Sequence, residues 1–592
     1  MPPRLVFDVE TNGLLRDLTR IHCLVTYDLD TGLITRYDDE KNNHYSITEG
    51  LGMLQVAKEL WGHNIIQYDF EAIKSIYNYF DIKSAKVYDT LILSRLFFTD
   101  MLDRDYRAKP ANMPAQLYGR HSLESWGHRL GIHKSEFGKS LQGDWTNYSP
   151  EMLEYCVQDV KVSAELAKTF EPKLKQYAKC IDTEARIAQI MAWQEREGFP
   201  FDIHKAHILE GKLRQELEQL SDEMRSTFLF VDGGEFTPKR PNKTKGYVEG
   251  CTFTRLKEFN PTSRNHIAWA FKEFRGWEPR ELTDTGRAKI DEKILKELGT
   301  PESNKFARIL ELQKHLGQLS EGANAWLKKV EKDGRIHHSC VLNTNTGRMA
   351  HMRPNLAQTP SATEYRELFN PGPDRVQVGA DASGLELRCL AHFLARYDGG
   401  AFAKEVVDGD IHTHLAKIYE TDRKTGKSCT YCLIYGGGNH KLGLTAGASK
   451  AKASERGRRI RSKILDGLKG FKELNLAVAE RAEYGVLTGL DGRPIRLQGK
   501  KHAALNYLIQ GAGAVICKLW LLRANELLQE AEVDYYPLAF VHDEMQLSVA
   551  STDVDKATLL IQGAMKDVRA ALSFRCELDS EYQSGVNWAE CH

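Results

Sequence analysis

Residues 379–392 read GADASGLELRCLAH. The apolar lead-in VQVGA (376–380) carries Asp381 to the end of a run that reads as a buried strand, and Glu386 follows five residues later among Leu, Cys and Ala. A buried carboxylate is costly unless it neutralises, hydrogen-bonds or meets a cation. Asp381 therefore calls for a partner elsewhere in the chain.

The sequence offers one in FVHDEMQL (540–547), where Asp543 and Glu544 punctuate a second apolar strand, read as continuous over 536–549. Two bare carboxylates about 4 Å apart repel by about 4 kcal/mol at an effective dielectric near 20. Divalent cations turn that repulsion into a phosphate-handling site. Magnesium favours hard oxygen ligands, and two such ions about 4 Å apart stabilise both the attacking and the leaving oxygen of an in-line displacement.

Between these acids runs RKTGKSCTYCLIYGGG (423–438), in which Arg423, Lys427, Tyr431 and Tyr435 recur every four residues. On a helix they form one slowly turning stripe, two cations followed by two rings. Arg and Lys suit a triphosphate, and Tyr431 suits a base or sugar. Gly436 to Gly438 end the helix and leave room for a close neighbour. The basic run KAKASERGRRIRSK (450–463) fits a solvated helix face as readily as a polyanion.

A second acidic set lies near the amino terminus. Asp8 and Glu10 are two apart on an expected strand and face one side. Asp69 closes HNIIQYD, and in YCVQD Tyr155 and Asp159 share a helix face. Four acids and a phenol can converge on a two-metal hydrolytic site, with Tyr155 orienting a water.

The bulk numbers set the frame. With 592 residues, several domains are expected. Lys plus Arg and Asp plus Glu both number 81, so any basic surface is local. No stretch reads as long and apolar enough to cross a bilayer, and no membrane association is expected. MPPRLVFDVE enters a strand without a signal peptide's lead, which points to a cytoplasmic site. The 11 cysteines read as reduced thiols, and the lone C-x-x-C at Cys429 and Cys432 lacks a second ligand pair.

Strands are expected at 4–9, 21–27 and 375–381 and helices over 151–170, 204–228 and 304–330, with an exposed loop at FTPKRPNKTKGYVEG (236–250) and a hairpin about the D-G of LTGLDGRPIRL (487–497). No internal repeat or low-complexity segment is evident.

TGRMAHMRPNLAQTP, DASGLELRCLAHF, the R-x-x-x-K-x-x-x-Y-x-x-x-YG stripe, AALNYLIQGAGAVICKLW, VHDE and the terminal NWAECH resemble, in order and spacing, the family A DNA polymerases, most nearly those replicating T-seven-like short-tailed bacteriophages. DVETNGL, HNIIQYD and YCVQD resemble that family's 3'-to-5' exonuclease motifs. The resemblance covers nearly the whole chain.

It implies an α/β multidomain protein in which a ribonuclease H-like exonuclease domain (1–175) precedes a right-hand polymerase domain (176–592). The thumb would span about 190–340, the palm about 341–405 and 500–592, and the fingers about 406–499. Asp381, Asp543 and the Ala382 carbonyl would hold two magnesium ions, with Glu544 beside them. Asp8, Glu10, Asp69 and Asp159 would hold two divalent ions in the exonuclease site, with Tyr155 also catalytic. Arg423, Lys427 and His412 would bind the nucleotide triphosphate, Tyr431 would pack on its sugar and base, and Glu386 would exclude a 2'-hydroxyl. Tyr435 and Gly436 would border the templating base, and Arg348, Asn506, Gln510 and His542 would touch the primer-template, partly through the minor groove.

The implied partners are primer-template DNA and deoxynucleoside triphosphates, with a phage helicase–primase as a candidate, and the implied setting is the host bacterial cytoplasm, as a monomer. One departure stands out. The phage relatives carry a large thumb insertion that captures host thioredoxin, whereas the interval from Phe228 to Asn260, basic through Lys239, Arg240, Lys243 and Lys245, is short, which argues against thioredoxin dependence. A single-subunit RNA polymerase is disfavoured by Glu386 and the intact exonuclease acids, and a catalytically inert scaffold by retention of Asp381 and Asp543.

Overall fold

Two larger sheets organise the chain, and their buried positions combine apolar side chains such as Phe7, Leu24, Val378 and Leu547 with polar ones such as His22, Gln377 and Gln546. The computed structural model describes residues 2–40, 44–82, 85–132, 145–279 and 281–591. The first sheet has five strands in the order Ile34–Asp38, Ile21–Asp28, Arg4–Thr11, Glu59–Gly62, Lys86–Asp89. The first three are antiparallel neighbours, and the last two join in parallel. The expected strands at 4–9 and 21–27 are thus adjacent. In VYDTLILSRLF (87–97) only the start is strand. Asp89 accepts N–H groups of Leu91 and Ile92 and starts the helix Thr90–Phe97.

The helix Pro150–Leu174 crosses this sheet, contacting its first two strands in sequence. Ser149 accepts the Met152 N–H and Pro150 occupies the first turn, where no donor is wasted. The helix Ala178–Glu197 continues the chain, and Ile187, Ala188 and Met191 belong to one continuous core that holds both Phe7 and Val378.

The second sheet is antiparallel throughout, in the order Tyr535–Val541, Glu544–Ala550, Arg375–Ala382, Ser580–Gly585. The expected single strand over 536–549 is corrected to two. His542 adopts φ +59°, and His542 and Asp543 form the link between paired strands. The helices Ala504–Glu530 and Val554–Ala571 pack together, with Trp520 buried and its indole N–H donating to the Ile561 carbonyl at 2.9 Å. Burying each large apolar side chain contributes about 1.5–3 kcal/mol. The first of these helices corrects another expectation. By length and composition Lys501–Glu530 is apolar enough to cross a membrane, yet 67% of its most apolar window is buried inside the protein, where that apolarity builds core.

By contact density the chain divides into two compact units. One comprises Met1–Gly198, His338–Thr359 and Pro371–His592, and the other Phe199–His337 with Pro360–Asn370. The second unit contains the helix Ile203–Phe228, a hairpin of Phe230–Phe236 with Phe253–Glu258, and the helix Pro301–Leu316. The expected helix over 304–330 is interrupted. A π-turn at Gly317–Glu321 and extended backbone at Gly322 break it before the short Trp326–Lys329 helix. The basic loop between the hairpin strands is exposed, as expected.

Candidate active sites

The strand Arg375–Ala382 is paired on both sides, so its tip is fixed. Asp381 stands opposite Glu544 on one neighbour and Glu581 on the other. The Ala382 N–H donates to the Asp543 carbonyl at 3.1 Å, which joins the DAS segment to the His542–Asp543 link. Asp381 itself is exposed, correcting the expectation of a buried carboxylate. The lead Val378–Ala380 is buried and only the tip emerges, so water carries most of the cost of its charge.

Beside this tip lies a cavity of about 330 Å³ whose lining includes Arg348, Glu386, Tyr435, His542, Asp543 and Lys518. Asp381 does not line it. Burial, then the charge of Glu386, raises the Asp543 carboxyl above its ordinary pKa, while Arg348 opposes the rise. Glu544 is buried and accepts from the Trp588 indole at 2.9 Å, so it is tied to the NWAECH segment. The final residue of that motif, His592, lies outside the described residues.

The cation and tyrosine stripe sits on the helix Arg423–Ile434, capped by Asp422, with Tyr435 at its end. Arg423 and Lys427 are exposed and Tyr431 is half-buried. The Tyr431 and Tyr435 rings stack with centroids 6.2 Å apart, and His412, from the helix Ile411–Tyr419, lies 6.3 Å from Tyr431. Burial, then Lys427 and Arg423, lowers the His412 pKa. Arg423 donates to Asp410 at 2.8 Å. Gly436 adopts φ +72°, and a Cβ placed there would lie 3.9 Å from Ala503 and Asn506, so Asn506 borders the glycine turn, with Gln510 one helical turn beyond. Glu386 lies on the first turn of the helix Leu385–Asp398 and accepts from both Arg348 and Tyr435.

The basic run proves partly structural. Arg461 donates to the Gly437 carbonyl at 2.6 Å and to Asn439 at 2.9 Å, bracing the glycine turn, and Arg459 pairs with Glu420 at 3.0 Å. Cys429 and Cys432 are buried free thiols.

The amino-terminal acids converge as well. Asp69 opens the helix Asp69–Ile76 and accepts the Val9 N–H at 3.1 Å, between Asp8 and Glu10 on the strand. Burial raises the Asp69 carboxyl to about 7, with Asp89 and Asp159 adding to the rise against that hydrogen bond. Asp159 is buried on the Pro150–Leu174 helix, and Tyr155, one turn earlier, has its ring 6.0 Å from Trp145. Sequence reasoning missed Cys156, whose Sγ lies 3.5 Å from Asp8 Oδ2. Ligand atoms of Asp8, Glu10 and Cys156 all lie within 4.8 Å of one another. The available signal was the i, i+3 spacing of Cys156 and Asp159.

Also missed was a buried charge network. Lys518 donates to both oxygens of Glu184, at 2.7 and 2.8 Å, and to the Leu342 carbonyl at 2.7 Å. Arg493 pairs with Glu184 at 2.8 Å and Asp491 at 2.7 Å.

Comparisons with known proteins give the family and the fold. The sequence pattern described as DNA polymerase family A matches residues 242–590. The DNA-directed DNA polymerases of Enterobacteria phage T3 and Escherichia phage T7 are each 33% identical to this chain, covering 99% of it and all of each relative. Those alignments run to 716 and 717 residues, so both relatives carry segments that this 592-residue chain lacks. DNA polymerase I of Aquifex aeolicus is 27% identical over 99% of this chain and 95% of its own. Among solved structures, the POL domain of Pol1 from M. smegmatis in complex with DNA primer-template and dNTP superposes with a TM-score of 0.74 at 16% identity, covering 99% of this chain and 96% of that one, a likeness of fold. On the family match and the near full-length phage relatives, this chain belongs to DNA polymerase family A.

Proposed function

We propose that this protein is a template-directed replicative DNA polymerase that also proofreads with a 3'-to-5' exonuclease. The observation that carries the reading is the junction of the two acidic strand tips, with Ala382 N–H on the Asp543 carbonyl and Asp381 in register with Glu544. Its donor set is hard oxygen, which fits magnesium. Asp381, Asp543 and the Ala382 carbonyl would hold the metal, which when bound supplies charge for the attacking and leaving oxygens of nucleotidyl transfer.

The chain's own residues do the rest. Arg423 and Lys427 present charge along one helix face for the triphosphate of a deoxynucleotide, with His412 beside them. Arg423 must leave Asp410 to do so, and an exposed pair of this kind costs little to open. Tyr431 packs on sugar and base, Glu386 excludes a 2'-hydroxyl, Tyr435 and Gly436 border the templating base, and Arg348, Asn506, Gln510 and His542 contact the primer-template. In this reading the thumb spans about 190–340, the palm about 341–405 and 500–592, and the fingers about 406–499.

Residues 1–175 form a ribonuclease H-like exonuclease, in which Asp8, Glu10, Asp69 and Asp159 hold divalent ions and Tyr155 orients the attacking water. The convergence of these acids at Asp69 supports it. The enzyme works as a monomer on phage DNA in the bacterial cytoplasm, with a helicase–primase as a candidate partner. The short interval between Phe228 and Asn260 supports independence from thioredoxin.

Incubating the protein with labelled primer-template and magnesium, with and without deoxynucleotides, tests both activities. Extension with nucleotides and shortening without them is expected. Asp543→Ala should abolish the first and Asp8→Ala the second. A chain that neither extends nor shortens the primer refutes the reading.

A further inference from the structure

A third cluster of metal-ligating side chains lies away from both acidic sets. His338 and Cys340 are two apart and face the same side of the extended chain around Ser339–Val341. Cys340 is the register partner of His351 on the strand Ala350–Met352, which puts both side chains on that face at cross-strand distance. Cys340 Sγ lies 3.4 Å from His351 Nδ1, and one ligand atom from each of the three residues lies within 4.8 Å of the other two. The three residues are 0%, 5% and 6% exposed, in chain order.

The protonation pattern suits a metal. His338 Nε2 lies 3.0 Å from the Leu538 carbonyl oxygen. A carbonyl only accepts, so this nitrogen carries the proton and Nδ1 of the neutral ring keeps its lone pair. An imidazole N–H held by a backbone carbonyl is the contact that orients metal-bound histidines. A thiol–imidazole hydrogen bond accounts for Cys340 with His351 alone. It leaves unexplained a second imidazole brought to the same sulfur and fixed on its far nitrogen.

We propose that His338, Cys340 and His351 form a binding site for one zinc ion, with water as the fourth ligand. Zinc takes nitrogen and sulfur donors in tetrahedral geometry. On binding, the Cys340 S–H bond breaks, its proton leaves to solvent, and the thiolate sulfur bonds to the ion. Through Leu538 the site joins the Ser339–Val341 and Ala350–Met352 pair to the strand that leads to His542 and Asp543.

The test uses the full chain, purified without a histidine tag, stripped by chelation and titrated with cobalt(II). Beyond any cobalt held by the two carboxylate sets, about one cobalt per chain should bind with the d–d bands of a tetrahedral site and a sulfur-to-cobalt charge-transfer band that depends on Cys340. One equivalent of zinc should displace both. Cys340→Ser should lose the charge-transfer band, and Cys251→Ser, which removes the exposed thiol, should keep it. X-ray absorption of the zinc form of the unaltered chain gives a check that no variant's folding can spoil, one sulfur and two imidazoles around zinc. No cobalt uptake, a charge-transfer band surviving in folded Cys340→Ser, or a zinc shell without sulfur would overturn the proposal.

Discussion

The Tyr435 hydroxyl donates to Glu386 Oε1 at 3.0 Å, and the Arg348 guanidinium donates to the same oxygen at 3.1 Å. Two donors from separate segments fix one carboxylate in the lining of the cavity that Asp543 also lines. A hydrogen bond to a charged acceptor contributes about 1.5–3 kcal/mol. If Glu386 excludes a 2'-hydroxyl by standing still, Tyr435→Phe should let it move. The expected result is a rise of about tenfold or more in ribonucleotide insertion relative to deoxynucleotide, and a larger rise for Glu386→Ala. Single-turnover primer extension with matched ribo- and deoxynucleotides measures the ratio. An unchanged ratio in both variants would remove Glu386 from sugar selection.

Tyr431 gives the complementary prediction at the 3' position. Burial, then Glu386 and Asp543, raises the pKa of its hydroxyl, so at neutral pH the group is a hydrogen-bond donor. Such a donor can stand in for the 3'-hydroxyl that a dideoxynucleotide lacks. Tyr431→Phe should therefore raise discrimination against dideoxynucleotides by about tenfold. Termination ladders run at fixed nucleotide ratios would show it, and identical ladders for the two proteins would refute it.

Local chemistry made much of this architecture readable in sequence. The four-residue recurrence of Arg423, Lys427, Tyr431 and Tyr435 specified a helix face, and the apolar lead-in VQVGA ahead of Asp381 specified a buried strand. The link at His542 and Asp543 was hidden because a positive φ is uncommon at any non-glycine residue and both flanking runs read as strand. The same applies to the break after Leu316, where the apolar pattern continues while the backbone shifts to a π-turn. The hairpin of Phe230–Phe236 with Phe253–Glu258 went unread because its strands are mostly exposed and show no alternating buried face. Glu184, Arg493 and Lys518 were invisible for a different reason. Each reads singly as a solvated charge, and only the fold brings these distant positions together in the interior.

That network carries a pH signature. Burial lowers the Lys518 pKa to about 8 from an ordinary 10.5, despite the opposing pull of Glu184. Between those values the unfolded chain holds a proton at Lys518 that the native chain does not. Stability therefore rises with pH across this window and stays at its lower level below about 8. Lys518→Met removes the titration, while Glu184 retains Arg493. The stability of the unaltered chain relative to Lys518→Met should increase by about 3 kcal/mol between pH 7.5 and 10.5. Thermal unfolding of both proteins across that range measures it. A difference independent of pH would mean that Lys518 does not titrate there.

Gly347 and Arg493 connect the buried network to the cavity. Gly347 adopts φ +80°, and a Cβ built on it would lie 2.8 Å from Arg493 Nη1. The turn around it closes through Gly347 N–H on the Thr344 carbonyl and Thr344 N–H on the Arg348 carbonyl, both at 2.9 Å. Arg493 also donates to Asn343 Oδ1 at 3.2 Å, so one fully buried guanidinium braces the turn that presents Arg348 to Glu386. In Gly347→Ala the left-handed backbone alone costs about 1–2 kcal/mol. The methyl must also displace either Arg493, which is pinned by Asp491 and Glu184, or the turn itself. The turn is the softer element, so Arg348 should move while the amino-terminal acids stay in place. Primer extension should weaken several-fold, ribonucleotide exclusion should loosen as in Tyr435→Phe, and primer shortening without nucleotides should persist at its original rate. Full extension and intact exclusion in a folded Gly347→Ala protein would show that Arg348 is held in place by something other than Arg493.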